Sequence, residues 1–363
     1  MAVCESCANG GARSRSIVSE TDGATDAPRR RRRRRLRLAV AVGLVLATGV
    51  AVWLAVRSDP SGSASTSTDL DGDGTRGFDG SAVWILSGWG EGPLWKIDPD
   101  GNMVTASTAI GSNPQQVAVA GGKVWVSDGV GGRVLAVDPA TLAMRGTVMM
   151  PGSPSAMLLA FGLLWVDNEQ SLQAIDPDTG EIVRQIPLEG FGSGLASDGS
   201  SLWVADSRGD VVRRYDPVTG AVQAEVAVGK TPVSLVFDGQ RLWVLNGADN
   251  SLSTIDPLGG VVRDTLRLGP VDEGSFVGSA AWVALVGADV WVMHLAGSSN
   301  AWGLLRIDSA TGRIVERVEA ACCSSGYATN GVDLWVETNA GVMKVTVRPG
   351  GHSSTEYVGT SPG

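Results

Sequence analysis

Leu202 to Gly220 reads LWVADSRGDVVRRYDPVTG. The stretch opens on a tryptophan between two aliphatic residues, crosses a polar loop, enters a second apolar run and ends on an Asp-Pro turn. A Trp in the same setting recurs at Trp84, Trp125, Trp165, Trp203, Trp243, Trp291 and Trp335, at intervals of 38 to 48 residues. A second anchor follows each Trp, as Ile97-Asp98-Pro99, Val137-Asp138-Pro139, Ile175-Asp176-Pro177, Tyr215-Asp216-Pro217 and Ile255-Asp256-Pro257. It weakens to Ile307-Asp308-Ser309 and decays to Val345-Thr346. Self-similarity at this period marks units that bury their apolar faces by stacking on one another.

The fifth unit shows the internal pattern. Pro232–Phe237, Arg241–Leu245, Leu252–Asp256 and Val261–Leu268 read as short strands, separated by Gly and Asp turns that suit an antiparallel meander. The VWV-type strands are apolar on both faces, so each must be covered on both sides. In Asp176-Pro177-Asp178-Thr179-Gly180 the first Asp can accept from the backbone ahead, Pro presets φ, and Gly accepts a positive φ. The expected fold is all-β, a seven-bladed β-propeller of four-stranded antiparallel blades over residues 78–363. The innermost strand of the first blade is faint. Ser354–Val358 is expected either to close the ring as an outer strand or to supply the missing inner one.

The combination of LWV, a polar loop, an IDPxTG segment and a GxxP link resembles the YVTN and virginiamycin B lyase-like families. It is carried by Leu202-Trp203-Val204, Tyr215 to Gly220 and Gly229-Lys230-Thr231-Pro232, and covers roughly residues 78–349. The resemblance implies a bacterial seven-bladed propeller that binds a partner or, in the lyase branch, opens a cyclic peptide with a metal held by His and Glu residues in loops. His294 and Glu337 are the residues that would serve such a site here. No second loop histidine recreates the family's set, since the chain's other histidine is His352 in the C-terminal tail.

The third residue after each anchor Trp is polar: Ser87, Asp128, Asn168, Asp206, Asn246, His294 and Thr338. These positions begin the loops between second and third strands and are expected to ring one face. They read either as turn caps or as ligand contacts, with Asp128, Asp206, Asn246 and His294 the binding candidates. Two loops on that face stand out. One runs from Ser87 to Leu94 and holds Trp89 and Glu91; the other runs from His294 to Gly303 and holds Trp302. Their rings serve as binding anchors or as covers for a neighbouring blade. Irregularity gathers in the sixth, seventh and first repeats, neighbours around a closed ring, and a site is expected there.

Outside the repeats, Leu38 to Val56 is nineteen residues without a charge, preceded by Arg29 to Arg35 and Arg37. That length nearly spans a hydrocarbon core of about 30 Å, and the arginines place the N-terminus in the cytoplasm and the repeats outside. The expected organisation is a disordered cytoplasmic tail over 1–28, the Arg-rich flank and transmembrane helix over 29–57, and a flexible stalk over 58–77. Residues 1–57 carry eleven Arg and four acidic groups, a net +7, whereas 58–363 carry eighteen basic and thirty-four acidic groups, a net −16. The acidic part has no means of neutralising phosphates, so nucleic acid is excluded as its partner.

Cysteines form two pairs. Cys4 and Cys7 lie in the tail, where the first 57 residues offer zinc no further Cys or His. Cys322 and Cys323 are adjacent on the oxidising side and read as a vicinal disulfide, with two free thiols the alternative. Asp69 to Gly74 has the DxDxDG start of a calcium loop, but its twelfth position is Gly80, so it reads as acidic stalk. No cofactor is expected, and a divalent metal enters only with the lyase alternative. The leading expectation is a membrane-anchored, single-pass extracytoplasmic propeller that binds or scaffolds a protein, peptide, glycan or small ligand. The alternative is a metal-dependent lyase or hydrolase.

Overall fold

The computed structural model describes residues 77–86, 92–269, 282–296, 301–320, 326–338, 340–348 and 350–360. They form seven four-stranded sheets, one for each anchor Trp. Blades two to seven are each built from four consecutive antiparallel strands. In blade five these are Pro232–Phe237, Leu242–Asn246, Ser251–Asp256 and Val261–Arg267, within one residue of the expected bounds. The Asp-Pro turns work as their spacing requires. Asp216 Oδ1 accepts from the Val218 and Thr219 amides at 2.8 and 2.7 Å, and Gly220, at φ +73°, donates to the Asp216 carbonyl.

One expectation is corrected, and an open alternative is decided in favour of the outer strand. The loop expected from His294 to Gly303 is largely strand: Asp289–Ala296 pairs with Ala301–Asp308, placing His294 opposite Gly303 and Leu295 opposite Trp302. The apolar run VWVMHLA favours prolonging the hairpin over breaking it. The C-terminal segment has two roles. Ser354–Tyr357 is the outer strand of blade seven, and Gly359–Thr360 then lies parallel to the outer strand of blade one, Met103–Ala109. Blade one thus has three antiparallel strands and a parallel fourth member. On its inner edge, Phe78 bridges Val83 and the Trp84 amide donates to the Gly77 carbonyl at 2.6 Å.

Trp89, Glu91, Cys322 and Cys323 lie outside the described residues, as do Cys4, Cys7 and the 38–56 segment. Among the described residues no helix is long and apolar enough to cross a membrane.

All seven anchor tryptophans are at most 1% exposed. Covering an indole on both faces removes 150–250 Å² from water, roughly 4–6 kcal/mol per ring as an upper bound. Each core cluster joins neighbouring blades; Trp203, for example, packs with Leu235, Leu242 and Val244 of the next blade. A buried indole N–H gains from an acceptor, and the residue five positions earlier supplies it in five blades, while Trp291 and Trp335 have none. Asp79, Asp198 and Asp238 accept through a carboxylate oxygen at 2.7 to 2.8 Å, and Ala120 and Ala160 through their carbonyls at 3.1 and 3.2 Å. In blade seven the position is Asn330. Its single amide oxygen already takes the Val332 and Asp333 amides, and the Trp335 N–H has no partner.

A cation from each blade donates to a turn carbonyl of the next. Lys96 reaches the Pro139 carbonyl at 2.8 Å, Lys123 that of Pro177 at 2.8 Å, Arg184 that of Pro217 at 2.8 Å and Arg214 that of Pro257 at 3.1 Å. Arg241 reaches Ser309 at 2.5 Å, Arg306 reaches Gly351 at 2.8 Å and Arg348 at 3.1 Å, and Lys344 returns to Pro99 at 2.8 Å. The clamps therefore form a closed circuit. In four blades the cation is the cross-strand partner of the anchor Trp: Lys96, Arg214, Arg306 and Lys344. Where that partner is the smaller Ala136, Ala174 or Thr254, the cation comes instead from Lys123, Arg184 or Arg241. Five of the cations also lie 5.2 to 5.9 Å from the ring centre of their own blade's Trp.

The seam between blades three and four holds a different kind of charge. Asp167 is fully buried, with Oδ1 accepting from the Glu169 amide and Oδ2 without a partner. It presses on Gly192, where a Cβ would come within 2.3 Å of Oδ1. Burial pushes its carboxyl up to about 7, and the nearby Glu169 charge adds to the rise.

Four outcomes follow, one of them a control. Lys344→Met strands the Pro99 carbonyl and the Asp333 carboxylate 3.3 Å away, and should cost roughly 2–4 kcal/mol in denaturant unfolding. The exposed Lys230→Met should change stability by no more than about 0.5 kcal/mol. Asn330→Asp supplies the acceptor that three other blades use, and should raise stability by about 1 kcal/mol. For Asp167 the folded pKa lies above the unfolded one, so its stabilising contribution is complete below about pH 4 and lost as pH rises towards 7. Asp167→Asn should therefore match the parent near pH 4 and exceed it by roughly 2–4 kcal/mol at pH 8, read from unfolding curves at both pH values.

Candidate functional site

The links between blades and the loops between second and third strands share one face, because residues at the ends of the second strands tie them together. Asp128 Oδ1 accepts from the Ser112 and Asn113 amides of the incoming link at 3.0 and 2.9 Å and from Gly131 in its own loop at 3.2 Å, while Oδ2 accepts from Arg133 at 3.0 Å. Asp206 repeats the arrangement with Phe191, Arg208 and Gly209 at 3.0 to 3.1 Å and Arg213 at 2.6 Å. Burial alone would raise both carboxyls, but these donors hold them below the ordinary carboxylate range. Both are buried, and their oxygens face the loops they fasten.

The neutral members of the ring bond only within their own hairpins. Asn168 Oδ1 accepts from the Ser171 amide and hydroxyl, Asn246 Nδ2 donates to Ser251 and Ser253, and Thr338 donates to the Gly341 carbonyl at 2.7 Å. His294 and Trp302 sit at their register positions in the blade-six hairpin. Glu337 is buried on the second strand of blade seven, and its amide donates to the Gly326 carbonyl at 3.1 Å. His294 and Glu337 thus stand on different blades, three and two residues after their respective tryptophans. Among the described residues no group of three or more His, Cys, Asp or Glu is placed to hold a metal ion.

The feature the repeat pattern did not reveal is a central cavity of about 230 Å³, to which every blade contributes: blades two to seven at or just before the start of their innermost strands, and blade one through Ile85 and Leu86 at the end of Val83–Leu86. Its glutamine amides and serine hydroxyls come from blades two to five, as Gln115, Gln116, Ser155, Ser193 and Ser234. Its aromatic rings come from blades six and seven. Trp282 and Tyr327 have ring centres 4.2 Å apart at an interplanar angle of 30°. No acidic, basic or histidine side chain lines it among the described residues. Part of the polarity is structural: Gln116 exchanges two bonds with the Met157 backbone at 2.7 and 3.0 Å, and Ser193 donates to the Pro232 carbonyl at 2.7 Å. A sequence signal was present only for Trp282, a tryptophan outside the repeat phase. By position relative to the anchor Trp, Gln115, Ser155 and Ser193 correspond to Val233, and Gln116 and Ser234 to Ala156.

Comparison with known proteins supports the architecture. The sequence model of a family described as outer membrane protein assembly factor BamB matches residues 168–321. A comparison with curated proteins finds no match. Among solved structures, a functionally unknown protein from Desulfotomaculum acetoxidans DSM 771 is 13% identical, with 76% of this chain and 99% of that one covered at a TM-score of 0.55. The dihydro-heme d1 dehydrogenase NirN in complex with DHE is 16% identical, with 78% and 67% covered at 0.53. BamB from Moraxella catarrhalis is 14% identical, with 73% and 81% covered at 0.50. At these identities the structural likenesses carry the fold alone. The chain is an all-β seven-bladed propeller, similar over blades three to six to the BamB description.

Proposed function

We propose that the chain is a membrane-anchored extracytoplasmic propeller that binds and scaffolds a protein partner through the face carrying the inter-blade links. The match of residues 168–321 to the outer membrane protein assembly factor BamB description carries this reading. The arginine-flanked apolar segment over 38–56 supplies the anchor, 1–28 the cytoplasmic tail and 58–77 the stalk. Within this proposal the segment holding Trp89 and Glu91 and the blade-six hairpin carrying His294 and Trp302 are candidates for recognition, since irregular segments on a rigid scaffold favour it. The polar ring serves it indirectly, since Asp128, Asp206 and Asn246 spend their hydrogen bonds holding the loops in place. The match to the BamB description does not favour the metal-dependent alternative through His294 and Glu337.

Photo-crosslinking in the native cells tests the proposal. A photoreactive residue at Val130, 75% exposed in a loop of the proposed face, should capture one discrete protein. The same residue at Leu258, 93% exposed on a turn of the opposite face, should not. Equal capture from both faces, or none from Val130, would count against it. Deleting 38–56 should move the chain from the membrane fraction to the soluble one; retention in the membrane would remove the anchor from the proposal.

A further inference from the structure

We propose that the central cavity is a second, independent site that binds one uncharged sugar ring. Its size, about 230 Å³, lies below the roughly 300–1,000 Å³ of pockets for drug-sized ligands, so it suits a fragment of one ring. With no charged side chain in the described lining, an anion would find no cation and a cation no carboxylate, and burying either would be costly.

The available hydrogen-bonding groups are mixed. The Ser234 oxygen accepts from the Val283 amide at 3.2 Å, so its own O–H remains to donate. Gln115 donates one bond to the Asn113 carbonyl at 3.4 Å, leaving its amide oxygen to accept. The Ser193 hydroxyl donates to backbone carbonyls and keeps lone pairs, and Ser155 adds another hydroxyl. A ligand that meets donors and acceptors side by side must itself do both, which is the property of hydroxyl groups. Facing this polar arc stands the Trp282–Tyr327 pair, fixed by the Tyr327 hydroxyl donating to the Val283 carbonyl at 3.3 Å. The buried Trp282 N–H has no partner. A pyranose matches that division, with C–H groups against the aromatic wall and hydroxyls towards the serines and Gln115.

The test is calorimetric and fluorescence titration of the purified full-length chain. The probes are glucose, galactose, mannose and N-acetylglucosamine, with glucuronate and glucosamine as charged counterparts. At least one uncharged sugar should bind saturably at one per chain and at least about tenfold more tightly than its charged counterpart. Trp282→Leu and Gln115→Leu, on opposite walls, should each weaken it by about tenfold. Gln115 is exposed and makes one long bond, so that variant carries the test should Trp282→Leu fail to fold. Saturation by no uncharged sugar, equal binding of the charged ones, or unchanged affinity in Gln115→Leu would each overturn the proposal. Because the crosslinking above reports the outer face, either result there leaves this one readable.

Discussion

A tryptophan buried on both faces is the constraint from which the propeller follows. A strand that carries such a ring cannot lie at a surface, so each sheet needs a neighbour on either side, and a row of sheets with that need closes into a ring. Apolar contact alone is non-directional and would tolerate sliding at the seams. The cation-to-carbonyl clamps supply the direction. Proline at the turn has no N–H to give, and the preceding Asp takes the amides that follow, so the proline carbonyl is left facing the neighbouring blade. A Lys or Arg beside the anchor Trp meets it, and Lys344 with Pro99 completes the circuit. Three of the chain's four lysines, Lys96, Lys123 and Lys344, serve in it.

The repeat number, the strand bounds of blade five and the turn chemistry were legible because they depend on residues close in sequence. The clamps were not. Their cations arise from three kinds of strand position, chosen according to whether the Trp faces a large or a small cross-strand partner, and that dependence appears only once register is known. The prolonged hairpin of blade six was hidden for a related reason: polarity at His294 suggested a loop, whereas the apolar residues around it sustain the ladder. Ring closure was left open between two roles for Ser354–Val358. It is decided by Val358, which fills the seam core with Ile97 and Trp335 and thereby hands Gly359–Thr360 to blade one.

The polar residues that follow each Trp illustrate how a repeat can present chemistry and use it for architecture. Asp128 and Asp206 combine backbone amides with an arginine, a set of donors that would equally suit an anion site, yet the recipients are the protein's own loops. The ligand site we propose is the cavity those loops surround. Its glutamine amides and serine hydroxyls stand at or before the start of the innermost strands in blades two to five, and its aromatic pair lies in the two blades whose spacing departs most from the repeat. On the proposed reading the departures from regularity serve recognition, and the regular positions form the scaffold that would fix it.

Whether the ring is closed as a single cooperative unit can be read most directly by native-state hydrogen exchange with mass spectrometry on the intact chain. Closure through the C-terminal segment and Lys344 requires amides of Val83–Leu86 and Asp333–Thr338, on either side of the seam, to be protected to the same degree as those of Leu202–Asp206 in the regular arc. Exchange of blades one and seven orders of magnitude faster than blade four would show an open, frayed ring instead, and with it a seam too loose to hold the cavity in shape.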